Sequence, residues 1–190
     1  YLHDQKVVHR DIKLENILMT SNDRPVVCDF GISRVVAKNT MSYTSTDEAW
    51  TTTSITGTVT GDGTAVKGTE GYISPEVIAG EALTPAADIW AAGVMLYRTI
   101  MLSREEAYDP KMKGREFLTI SSDASFPDEV RELFSRMFTL DAKSRISANE
   151  VLNSKFIRSS LLSYMRKYHR NLESDRRIEM SVEHFAILRK

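Results

Sequence analysis

A chain of 190 residues with 42% hydrophobic and 27% charged residues has the composition of a globular domain with a sizeable core. Its net charge of −1 argues against a broad basic surface for nucleic acid or an anionic membrane. Cys28 is the single cysteine, which excludes an internal disulfide and points to a reducing, intracellular setting, cytoplasmic or nuclear.

Residues 7–36 read as short strands and turns. Val7-Val8, Ile17-Leu18-Met19, Val26-Val27-Cys28 and Ile32 to Val36 are brief β-branched or apolar runs, and Ser21 to Pro25 supplies turn chemistry between two of them. From Thr40 to Thr64, 13 of 25 residues are Ser or Thr, with Gly57, Gly61 and Gly63 among them, and the stretch reads as a long loop. From residue 74 the pattern turns helical. Thr84-Pro85 predicts a capped helix to about residue 102, whose apolar run is interrupted by Asp88 and Arg98 and suits a core helix better than a membrane span. Pro127-Asp128 opens a second helix with Val130, Leu133, Phe134, Met137 and Phe138 on one face. Ser147 caps a short helix through about Leu152, and two amphipathic stretches follow within residues 155–190. The fold class expected is therefore mainly α with a small β segment (α+β).

The chemistry lies in an ordered set of motifs. His9-Arg10-Asp11-Ile12-Lys13-Leu14-Glu15-Asn16 is followed by Asp29-Phe30-Gly31, then Ser74-Pro75-Glu76, Asp88 to Gly93, and Arg145. In this order they resemble the signatures of eukaryotic Ser/Thr protein kinases over roughly residues 1 to 158. Asp29 to Arg34, Ser74-Pro75-Glu76 and Arg145 to Ile157 lean towards the NIMA-related kinases.

The resemblance implies a kinase large lobe over 1–158, with an activation segment over 29–76 and a helical extension over 159–190. It implies ATP and Mg²⁺ as cofactors and protein substrates as partners, and it makes an upstream activating kinase a candidate partner. Asp11 would orient the acceptor hydroxyl and take its proton, and Lys13 would face the γ-phosphate. Asn16 and Asp29 would hold Mg²⁺ through hard oxygens, Leu18 would floor the adenine site, and Thr69 would shape the acceptor pocket. Glu76 and Arg145 would form a buried ion pair, and Asp88 would anchor the catalytic loop. Arg10 and Arg34 would clamp a phosphate placed on Thr60 or Thr64. The family pattern Ala-Pro-Glu reads Ser74-Pro75-Glu76 here, and the activation segment is longer than is usual in the family.

No Gly-x-Gly-x-x-Gly occurs in these residues, and the chain opens on Tyr1, so the small lobe is expected to be absent and this chain alone to be inactive. The rival expectation is a non-catalytic scaffold that keeps a kinase lobe for protein binding.

Overall fold

The computed structural model describes residues 1–21, 24–36, 67–103 and 114–163. The chain divides into a unit over Tyr1–Val151 and a second over Leu152–Lys190. The expected loop over 37–64, with Thr60 and Thr64, lies outside the described residues, as do 164–190 of the tail.

The first unit opens with two antiparallel strand pairs. β1 (Val7–Val8) pairs with β4 (Arg34–Val35), and β2 (Ile17–Met19) pairs with β3 (Pro25–Val27). The short β-branched runs of the sequence fall on these strands. Pro25 sits at the first residue of its strand, where its missing N–H costs least. The β2–β3 register sets Leu18 opposite Val26, and both remain exposed.

Helix α1 (Pro75–Ile78) carries Pro75 in its first turn, and helix α2 (Ala86–Ser103) forms the centre of the unit. Residues 87–91 of α2 are buried in succession, the pattern of a helix enclosed on all sides. The Thr84 side-chain cap is not made. The Ala87 N–H is taken by the Thr84 carbonyl at 3.1 Å and the Asp88 N–H by the Pro85 carbonyl at 3.1 Å. Those tight turns use the donors a hydroxyl would have capped, and Thr84 Oγ1 has no hydrogen-bond partner among the described residues.

Helix α3 (Asp128–Met137) buries Val130, Leu133, Phe134 and Met137, the face its spacing announces, and Phe138 at its end is buried too. It packs on a 3₁₀ segment, Gly114–Ser122, that places Phe117 and Ile120 in the core. Phe138 stacks on Phe117 and Phe134 with centroids 5.1 and 5.6 Å away and meets Trp90 edge-on at 5.1 Å. Helix α4 (Ala148–Leu152) begins with a reciprocal cap. Ser147 N donates to Glu150 Oε2 at 2.9 Å, Ser147 Oγ bonds the same oxygen at 2.7 Å, and Glu150 N reaches Ser147 Oγ at 3.4 Å. In the second unit, residues 155–163 are helical, and the Arg158 N–H donates to the Ser154 carbonyl at 3.0 Å.

Gly93 lets α2 approach this cluster. A Cβ there would lie 2.9 Å from Phe138 Cε1 and 3.3 Å from Met137 Cβ, both on buried residues. Gly93→Ala should gain about 1 kcal/mol of helix propensity yet lose about 1–3 kcal/mol to overpacking, because the stacked Phe138 has nowhere to move. A lower urea midpoint with unchanged slope is the expected result.

Candidate active site

The loop after β1 is bent by Arg10, whose φ of 72° is left-handed. That conformation costs a non-glycine residue about 1–2 kcal/mol, and it is held by Asp88. The His9 N–H donates to Asp88 Oδ2 at 2.8 Å and the Arg10 N–H to Oδ1 at 2.8 Å. The first turn of α2 therefore fixes the main chain immediately before Asp11.

Around Asp11 the fold gathers three further side chains. Lys13 Nζ lies 2.8 Å from Asp11 Oδ2 and donates to Thr69 Oγ1 at 2.7 Å. The Thr69 hydroxyl donates to Asp11 Oδ1 at 2.6 Å. Asn16 Nδ2 donates to Asp11 Oδ2 at 2.9 Å and to the Asp11 carbonyl at 2.8 Å. Thr69 is brought across 58 positions of sequence by the turn at Gly68, whose φ of 139° few residues other than glycine adopt. A Cβ at Gly68 would also lie 3.1 Å from the Arg10 carbonyl.

Burial alone would raise the Asp11 carboxyl. The hydrogen bonds from Lys13, Thr69 and Asn16, with the Lys13 charge, outweigh it and hold the group below its ordinary value of 3.8. Asp11 is ionised at neutral pH. Because the folded value lies below the unfolded one, the cluster's contribution to stability is complete above roughly pH 4 and is lost as pH falls through the depressed value. Following the unfolding midpoint through acid checks this: the unmodified chain should lose stability below about pH 4 more steeply than Asp11→Asn.

Asp29 follows β3, is exposed, and has a φ of 62°. Its Oδ1 accepts the Gly31 N–H at 3.2 Å. Among the described residues no hydrogen bond or ion pair joins Asp29 to Asp11, Lys13 or Asn16. The two loops are tied by main chain instead, since the Cys28 N–H donates to the Asn16 carbonyl at 2.9 Å. No three His, Cys, Asp or Glu side chains gather as a metal-binding group among the described residues. One amide oxygen and one exposed carboxylate still suit Mg²⁺, which takes hard oxygens, few carboxylates and the phosphates of its nucleotide.

His9 is fully buried and was visible in the sequence only as a motif letter. Its Nδ1 accepts the Asp11 N–H at 3.3 Å, so Nε2 carries the proton and donates to the Cys28 carbonyl at 3.0 Å. Its ring meets Phe30 edge-on at 4.8 Å. His3 was also missed: its Nε2 lies 2.9 Å from Asp88 Oδ2 across 85 positions of sequence. No spacing rule reaches that far.

Arg10 Nη1 donates to the Ile32 carbonyl at 3.3 Å, and Arg34 lies on β4 opposite Val8. Glu76 and Arg145 form a two-pronged pair, Nη1 to Oε1 at 2.6 Å and Nη2 to Oε2 at 2.8 Å, with both residues buried.

The model of the protein kinase domain matches residues 1–157. The chain belongs to the protein kinase domain family. The kinase chain is 31% identical over 159 residues to serine/threonine-protein kinase Nek8 of Danio rerio, covering 80% of this chain and 20% of that protein. It is 27% identical over 161 residues to serine/threonine-protein kinase 36 of Mus musculus, covering 83% and 11%. It is 30% identical over 164 residues to serine/threonine-protein kinase ksg1 of Schizosaccharomyces pombe, covering 82% and 26%. The kinase chain thus spans a minor part of each relative's length. The Nek8 match agrees with the NIMA-related lean of the motifs, while the other two relatives carry names outside that group. Among the described residues, no helix of the kinase is long and apolar enough to cross a membrane.

Proposed function

We propose that this chain forms the large lobe of a Ser/Thr protein kinase that transfers the γ-phosphate of Mg·ATP to Ser or Thr of protein substrates. The observation that carries the reading is the cluster in which one hydroxyl, that of Thr69, bridges the Asp11 carboxylate and the Lys13 ammonium. A substrate hydroxyl presented to Asp11 meets the same chemistry. Asp11 accepts its proton as the new O–P bond forms and the bond to the departing ADP breaks. Lys13 offsets negative charge gathering on the transferred group, and Thr69 shapes the acceptor pocket.

Asn16 spends its amide nitrogen on Asp11, which turns its oxygen chemistry to a cation. Asn16 and Asp29 would hold Mg²⁺, whose charge neutralises the phosphates when it is bound. Exposed Leu18 would floor the adenine site. In this reading residues 1–158 are the lobe, 29–76 the activation segment and 159–190 a helical extension. Arg10 and Arg34 would clamp a phosphate that an upstream kinase places on Thr60 or Thr64.

A small lobe carrying a Gly-rich loop and a Lys–Glu pair is needed to close the nucleotide site, and these 190 residues hold no Gly-x-Gly-x-x-Gly. Joined to such a lobe, the chain should transfer label from γ-labelled ATP to protein only when Mg²⁺ is present; alone, it should transfer a negligible amount. Asp11-dependent transfer by the chain alone would remove the need for a small lobe. Failure of the joined, folded protein to transfer would favour the scaffold reading.

A further inference from the structure

Asp88 accepts three hydrogen bonds on two oxygens. Oδ1 takes the Arg10 N–H, and Oδ2 takes both the His9 N–H and His3 Nε2. Two of these donors are main chain and survive any substitution except proline. The third is the His3 side chain, which keeps 22% of its exposure while the Asp88 side chain keeps 6%. His3 therefore stands on the solvent side of the carboxylate and closes it from water.

We propose that His3 is a positioning residue for phosphoryl transfer, acting through Asp88 on the left-handed backbone of Arg10 and so on Asp11. Arg10 holds a φ that residues with a Cβ rarely adopt, and the main-chain bonds to Asp88 are what keep it there. A carboxylate stripped of one of three donors and opened to water is drawn towards that water. Rotation of the carboxylate weakens the His9 and Arg10 bonds together. Arg10 then relaxes towards ordinary φ values, and Asp11, the next residue, loses its fixed aim at the acceptor hydroxyl. Oriented groups are sensitive to displacements of this size.

The proposal rests on the reading of Asp11 as the catalytic carboxylate, but its test does not. Amide hydrogen exchange on the 190-residue chain reads the His9 and Arg10 N–H groups directly. His3→Leu should speed exchange at those two amides by about tenfold, the loss expected for a hydrogen bond to a charged group. Amides inside α3, such as those of Leu133 and Phe134, should be unchanged. His3→Gln, which returns an N–H donor at a similar reach, should restore protection. Unchanged exchange in His3→Leu would overturn the proposal. So would a rise shared equally by α3, which would mark His3 as a general stability residue, and so would failure of His3→Gln to restore protection. If the two amides respond as expected but the chain joined to a small lobe transfers no phosphate, the tie stands and the reading of Asp11 has failed. With transfer established, His3→Leu should lower kcat and leave KM for ATP unchanged.

Discussion

Arg145→Leu should destabilise the chain by about 3–5 kcal/mol, enough to unfold most of a domain of ordinary stability. The Arg145 side chain has no exposure and Glu76 has 2%. Besides both Glu76 oxygens, the guanidinium satisfies the Thr139 carbonyl at 2.9 Å and the Ala86 carbonyl at 2.9 Å, and it lies 5.0 Å from the Trp90 ring centre. Leucine would fill part of the volume and pair with none of these groups. The larger share of the loss comes from the Glu76 carboxylate left buried without a cation, more than from the attraction forgone. That attribution has its own check: in the double variant Glu76→Leu/Arg145→Leu the stranded charge is gone, so the pair together should cost less than the sum of the singles. Urea unfolding of the four proteins measures both effects, and strict additivity would contradict the argument.

Asp11→Asn should lower kcat by about 10²–10⁴-fold in the chain joined to a small lobe, with little change in KM for ATP. Asparagine keeps the size of the side chain and one oxygen, so the bonds from Thr69 and Asn16 have a partner to rearrange around. It cannot accept the substrate proton, and it removes the negative partner of Lys13, 2.8 Å away. In the proposed reading the nucleotide is held by other groups, which is why KM should hold. A variant that binds ATP normally and transfers at the unmodified rate would show that the carboxylate is not the proton acceptor.

Much of this arrangement is legible in the amino-acid sequence. Val7-Val8, Ile17 to Met19 and Val26-Val27 declare strands because β-branched or apolar residues in short runs between turn residues have few alternatives. The Ser147-to-Glu150 spacing contains its own cap. The Glu76–Arg145 pair and the Asp88 anchor were legible only through the order of the motifs, since 69 and 79 positions of sequence separate the bonded residues. Three features lay beyond that reading. Gly114–Ser122 is a 3₁₀ segment whose core residues, Phe117 and Ile120, repeat at a spacing of three over too few residues to stand out. Thr84 looked like a cap because capping donors cannot be seen in sequence to be already engaged. Asp29 has a left-handed main chain and a bond from the Gly31 N–H to its side chain, and no residue type encodes that.

The central claim is that Asp11, Lys13, Asn16 and Thr69 form the place where a protein hydroxyl receives a phosphoryl group. Acid hydrolysis of a protein substrate labelled from γ-labelled ATP by the chain joined to a small lobe tests it most directly. Label is expected on phosphoserine and phosphothreonine, present with the Asp11 carboxylate and absent with Asp11→Asn. Label confined to phosphotyrosine, or equal labelling by Asp11→Asn, would contradict it.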